Sequence, residues 1–320
     1  MKAKGFRDFR RLTVTCPLER GENDARSRRP ARSRHPARKG WSLFAPNGRP
    51  SLPCPAGPLL TAACAAVALT AVGRLASMGL RVRRERLFTR KQARFKVLHI
   101  TDLHSRGGEF VNIWPEVDKL DFDLTVITGD LILNNCEDLS PRLAEYLRKL
   151  ARRKPVFFVE GNHESLYYRN IAEVLTACGV RVLYNAGQVV EINGRRINIV
   201  GLRDYYYMKD RGFAGLRSAF AGLDTRNFTL VLSHQPQIFE RAAAYHADLV
   251  LAGHTHGGQL RLPLLPTLYA PGQGFLPRYG DGWYKRGQAA LYISRGVGAT
   301  KFPLRTFNPP EITVIEVKEF

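Results

Sequence analysis

The sequence predicts an α/β fold built on mixed sheets, and three observations predict it. Short apolar runs recur through the last two-thirds of the chain, at 95–101, 124–128, 156–160, 197–201, 228–233, 249–252, 291–294 and 312–317, each the length of a buried strand. Segments with helical spacing lie between them. Ser140-Pro141 opens a helix to about Arg153 with Leu143, Tyr146, Leu147 and Leu150 on one face, and another runs from Pro236 to about Tyr245. Finally, Asn193-Gly194 joins two apolar runs, 189–192 and 195–200, as a hairpin turn, so at least one pair is antiparallel.

The 320 residues allow one large domain or two ordinary ones, and 44% hydrophobic with 24% charged content argues against a wholly disordered, collagen-like or polytopic membrane protein. A net charge of +21 suggests nucleic acid at first. Its distribution argues otherwise: residues 1–95 hold 22 Lys+Arg against 5 Asp+Glu, leaving 27 against 23 for residues 96–320. An excess of that size is too small for a phosphate-tracking groove, so no nucleic-acid partner is expected. Five cysteines, Cys16, Cys54, Cys64, Cys136 and Cys178, include no C-x-x-C pair and indicate neither a disulfide framework nor a thiolate zinc site.

Residues 1–55 are rich in Arg, Pro, Ser and Gly without any period that buries a face, and read as a disordered basic arm. Residues 56–80 are charge-free up to Arg74 and read as a membrane-anchor helix of about the ~20 residues needed to cross hydrocarbon. Residues 81–94 carry seven Lys/Arg and read as a basic linker, whose charge favours the cytoplasmic face. The expected localisation is therefore at a membrane, held by a single N-terminal helix, with the catalytic domain at 95–320.

Each central strand ends in a polar cluster: Asp102-Leu103-His104, Gly129-Asp130, Gly161-Asn162-His163-Glu164, His234, and His254-Thr255-His256. Ligands of open α/β sheets bind outside the carboxyl ends of the strands, so clusters placed alike point at one site. Carboxylate, amide oxygen and imidazole together suit Mn, Fe or Zn dications.

This constellation resembles the calcineurin-like metallophosphoesterase superfamily, and the later stretches Gly257-Gly258-Gln259 and Ser294-Arg295-Gly296 resemble its YaeI/YkuE-type bacterial branch. The resemblance implies a four-layer α/β/β/α sandwich of two mixed sheets and a centre of two divalent metal ions. It implies Asp102, His104 and His256 on one ion, Asn162, His234 and His254 on the other, Asp130 bridging, and His163 as the catalytic histidine. The implied reaction is attack of a metal-bridging hydroxide on a phosphate ester. Glu164 is expected to orient an imidazole from behind. Asp204 is a candidate to face the pocket or a turn carboxylate, and Arg295 a candidate for a substrate phosphate or a structural salt bridge. His99, inside the first strand, reads as a packed histidine.

The expected function is a phosphodiesterase acting near the membrane, with lipid-linked phosphates favoured by analogy with membrane-bound relatives. The enzyme alternative is a phosphomonoesterase or nucleotidase on soluble substrates. From another class comes a basic membrane-surface adaptor on a phosphoesterase-like scaffold, against which stands the complete ligand set.

Overall fold

In the computed structural model the described residues are 56–105, 111–133, 139–167, 170–210, 213–258, 261, 265, 267–298 and 305–320. The basic arm expected at 1–55 lies outside them. The chain divides into units Met1–Cys54 and Pro55–Phe320. In order, the second unit comprises α1 (Ala56–Ala76), β1 (Arg81–Thr89), β2 (Phe95–Ile100), α2 (Trp114–Val117), β3 (Leu124–Ile127), α3 (Pro141–Arg153) and β4 (Val156–Phe158). There follow α4 (Asn162–Tyr167), α5 (Ile171–Ala177), β5 (Arg181–Val182), β6 (Ala186–Ile192), β7 (Arg195–Gly201), α6 (Tyr205–Asp210) and α7 (Ala214–Phe220). The remainder is β8 (Phe228–Leu232), α8 (Phe239–Ala244), β9 (Leu249–Ala252), β10 (Tyr269–Ala270), β11 (Gly274–Phe275), β12 (Gly282–Arg286), β13 (Ala289–Ile293) and β14 (Glu311–Glu319).

Local chemistry explains the better-marked elements. Asn193 and Gly194 both adopt left-handed backbone, at φ 52° and 72°, which is what a two-residue turn matched to strand twist requires between β6 and β7. The Ser140 hydroxyl accepts the Leu143 N–H at 3.2 Å and starts α3, whose Leu143, Leu147 and Leu150 face the core. The second expected helix is shorter than its sequence suggests: Pro236–Ile238 form a 3-10 turn, and α8 follows.

One sheet has the order β1-β14-β2-β3-β4-β5, the other β12-β13-β9-β8-β7-β6. In each, a run of parallel neighbours is bounded by an antiparallel pair, so both sheets are mixed. Their inner faces meet in one apolar layer, with Val97, Leu124 and Phe157 packed against Ile199, Leu230 and Leu251. On the outer faces, α2, α3 and α5 cover the first sheet and α7 and α8 the second. Helix, sheet, sheet and helix make the four layers expected.

Two expectations about the N-terminal elements are corrected. Residues 81–89 are not linker but the edge strand β1, parallel to β14, with Val82 and Leu87 half-buried inward and arginines along the rim. An edge row of charge discourages pairing with another chain, which is why the segment mimics a solvated linker. Residues 56–76 do form a helix, but no helix among the described residues is long and apolar enough to cross a membrane. Alanine dominates α1 and Arg74 interrupts its last turns. That end serves the domain instead: the Gly73 carbonyl accepts the Phe307 N–H at 2.9 Å, and a side chain at Gly73 would overlap Thr306 and Phe307.

Candidate metal centre

The strand tips deliver the polar clusters to one place. β2 leads to Asp102 and His104, β3 to Asp130, β4 to Asn162 and His163 at the start of α4, β8 to His234, and β9 to His254 and His256. The first three strands belong to one sheet and the last two to the other, so the site spans the seam between them.

Asp102, His104 and His256 form one group. The Nε2 atoms of His104 and His256 face each other at 3.1 Å, and His256 Nε2 lies 3.2 Å from Asp102 Oδ1. Asp102 Oδ2 is held by the Thr101 hydroxyl at 2.8 Å and the His254 N–H at 3.0 Å. A second group forms from Asp130, His234 and His254: His234 Nε2 is 3.2 Å from Asp130 Oδ2, 3.2 Å from His254 Nδ1 and 3.1 Å from Asn162 Oδ1. Asp130 Oδ2 also lies 3.8 Å from His104 Nε2, so one carboxylate oxygen faces both groups. The structure thus brings together all seven residues expected as ligands. Two pairs of imidazole nitrogens aimed at each other inside buried walls repel unless a proton or cation lies between, and the adjoining carboxylates favour a cation. The donor set therefore fits divalent metal ions, and three-residue groupings able to hold one occur here among the described residues.

Backbone geometry supports the same reading. Asp102, His104, Asp130, His254 and His256 all have positive φ, at 51°, 49°, 50°, 68° and 50°. Such conformations cost roughly 1–3 kcal/mol each outside glycine and persist where surroundings over-determine them. Aspartate and histidine are among the side chains that tolerate them best.

Electrostatics follow from burial and from Asp130. Burial pushes His104 down to about 4, His254 to about 3 and His256 well below the usual range, so these rings keep lone pairs free at neutral pH. Burial and, after the opposing His234, the Asp130 charge leave Asp102 raised to about 6. Burial also opposes charge on Asp130 and His234, but their mutual attraction overrides it. Asp130 is held far below the ordinary carboxylate range and His234 is raised to about 10. The His234 Nδ1 contacts the Thr128 carbonyl at 2.8 Å, which fixes the proton there and turns Nε2 toward the site.

The other expected residues take up varied positions. His163 packs its ring edge against His104 at 4.8 Å with Nε2 3.7 Å from Asp130 Oδ2, and its side chain is 13% exposed. Glu164 does not orient an imidazole. Its carboxylate accepts the N–H groups of Asp130 and Gly161 on one oxygen, each at 2.8 Å, and of Leu131 and Ile132 on the other, at 2.7 and 3.1 Å. Burial, followed by the Asp130 charge, pushes Glu164 up to about 7, and these backbone donors pull against that. Asp204 caps the start of α6 by accepting the Tyr206 N–H at 3.0 Å, and holds Gln235, beside His234, at 2.7 Å. Arg295 is a structural cation: its Nε pairs with Asp281 at 2.9 Å and its N–H with Glu311 at 3.0 Å. His99 is packed as expected, fully buried against Tyr292.

Sequence reasoning missed Arg305. It is 8% exposed, donates to the carbonyls of Arg295 and Gly298 at 3.0 and 2.5 Å, and places Nη2 3.4 Å from His256 Nδ1. No motif or period marks it, because its partners are backbone groups brought near only by folding.

Carboxylates, imidazoles and an amide gathered at the tips of a two-sheet sandwich define a metal-dependent hydrolase. The sequence matches the calcineurin-like phosphoesterase family over residues 95–258, and the chain belongs to that family. It is 30% identical over 232 residues to the uncharacterized metallophosphoesterase YkuE of Bacillus subtilis, covering 70% of this chain and 79% of the relative. It is 34% identical over 231 residues to an uncharacterized metallophosphoesterase of Helicobacter pylori, covering 69% of this chain and 59% of the relative. With the phosphodiesterase YaeI of Escherichia coli it shares 31% identity over 238 residues, 72% of this chain and 84% of the relative. The protein is a metal-dependent phosphoesterase.

Proposed function

We propose that the protein is a phosphodiesterase with a dinuclear centre. In this reading Asp102, His104 and His256 hold one divalent cation, Asn162, His234 and His254 the other, and Asp130 lies between them. The observation that carries it is Asp130 Oδ2, 3.2 Å from His234 Nε2 on one side and 3.8 Å from His104 Nε2 on the other. Manganese, iron or zinc all suit these donors. When bound, such ions supply Lewis-acid charge and lower the pKa of water toward neutrality.

The chain's own residues do the rest. Glu164 and Thr128 fix Asp130 and His234 from behind, so the donor atoms are in place before substrate arrives. His163, more open than His104, His234 and His256, is positioned to donate a proton to the leaving oxygen or to stabilise charge on the phosphoryl group. The likeness to the phosphodiesterase YaeI of Escherichia coli supports diesters over monoesters.

The test is metal stripping with a chelator, re-addition of single metals, and comparison of bis-p-nitrophenyl phosphate with p-nitrophenyl phosphate. The expected result is metal-restored activity with the diester preferred at least ~10-fold in kcat/KM. Restored activity on the monoester alone would replace the phosphodiesterase by a phosphomonoesterase. A lipid-linked diester forms a third arm, and hydrolysis confined to it would narrow the substrate class to lipid phosphates.

A further inference from the structure

We propose that Asn308 is a positioning residue for the Asp102, His104 and His256 half of the centre, and that the last turns of α1 hold it in place. The proposal rests on the dinuclear reading above. Asn308 is fully buried, and its side-chain amide donates to the His256 carbonyl at 2.5 Å. His256, Gly257 and Gly258 are three consecutive residues of positive φ, at 50°, 62° and 80°, in a single 3-10 turn kinked at Gly257 and closed by the Gly258 N–H on the Thr255 carbonyl at 2.7 Å, so the Asn308 bond adds a side-chain anchor to a strained, one-turn path.

The backbone of Asn308 is fixed in turn by α1. Its N–H donates to the Ser77 hydroxyl at 2.8 Å, and that hydroxyl donates to the Gly73 carbonyl at 2.8 Å. The same carbonyl accepts the Phe307 N–H at 2.9 Å. Gly73 and Ser77 are the buried positions between residues 60 and 79, where Leu60, Val67 and Leu75 are each at least 67% exposed. Attachment of the helix is thus concentrated on the segment that holds His256. Arg305, three residues before Asn308, grips the carbonyls of Arg295 and Gly298, while Gly298 donates to the Asp102 carbonyl at 2.6 Å. One short segment therefore supports both Asp102 and His256. The other half of the centre leans on Thr128 and Glu164, and the two halves meet through Asp130 and the His254 N–H to Asp102, so disturbance at Asn308 falls first and most strongly on the ion beside His256.

The test is calorimetric titration of the metal-stripped full chain with Mn²⁺, and metal content after dialysis, for wild type, Asn308→Ala, Ser77→Ala and Asn198→Ala. Asn198 is also fully buried and donates to Asp224 and Thr229, away from the centre, so it controls for loss of a buried amide. Asn308→Ala is expected to weaken one ion by ~10–100-fold and to retain one ion per chain after dialysis where wild type retains two. Ser77→Ala weakens the same ion by a smaller factor, and it decides the matter if Asn308→Ala does not fold. Asn198→Ala keeps both ions. Wild-type affinities in Asn308→Ala and Ser77→Ala, equal weakening of both ions, or the same loss in Asn198→Ala would overturn the proposal. A wild type that binds a single ion overturns the dinuclear reading, and the role of Asn308 is then judged on that ion's affinity.

Discussion

Glu164 lies beneath Asp130 and accepts its backbone N–H at 2.8 Å, while also taking the N–H groups of the two residues that follow. A carboxylate with four backbone donors is a template for the turn that aims Asp130 at the centre. Glu164→Gln replaces one acceptor oxygen by a donor that faces other donors. The variant is expected to lose roughly 2–4 kcal/mol in chemical denaturation. Activity should fall by ~10–100-fold, because the Asp130 turn loosens. Unchanged stability would show that the turn holds itself.

His163 stands close enough to Asp130 and His104 to join them in a three-donor group, so geometry alone allows it to be a ligand. The proton-donating role predicts something different. His163→Ala should reduce kcat by ~10²–10⁴-fold while metal content stays at the wild-type value. Loss of an ion in that variant would make His163 a ligand.

Gly161 follows β4, and a side chain there would overlap the Asp130 carboxylate and backbone. Gly161→Ala should displace Asp130 enough to lower kcat/KM by ~10²-fold. A variant as active as wild type would show that Asp130 has room to yield.

Acid stability offers a further check through His99, which touches Thr128 at 2.8 Å and lies fully buried. Burial lowers it from 6.5 to about 3. The neutral ring is favoured in the folded state, so its contribution is complete above pH 6.5 and is lost as pH falls toward 3. Each unit in that window removes about 1.4 kcal/mol. Stability measured against pH with chelator present should fall less steeply between pH 6.5 and 4 in His99→Phe than in wild type. Parallel curves would contradict this.

Much of this architecture is legible in the chain because its signals are local. The Asn193-Gly194 turn, the Ser140 cap and the apolar runs of β2, β3, β8 and β9 each carry their own instruction. The seven donors are legible for a different reason: each lies two to four residues beyond the end of a strand, and the fold places strand ends together. What escapes is decided at a distance. β1 looks like a linker because its arginines lie on an exposed rim, and only pairing with β14 reveals the strand. The backbone partners of Glu164, the Arg305 contacts and the Asn308 bond to His256 involve main-chain atoms that every residue possesses, so no spacing of side chains announces them.

Five of the seven donor residues sit in left-handed backbone, and that geometry is set when the strands assemble. Exchange of any one of these five for a β-branched residue would therefore strain the main chain as well as remove a donor, so that the side chain and its turn are lost together.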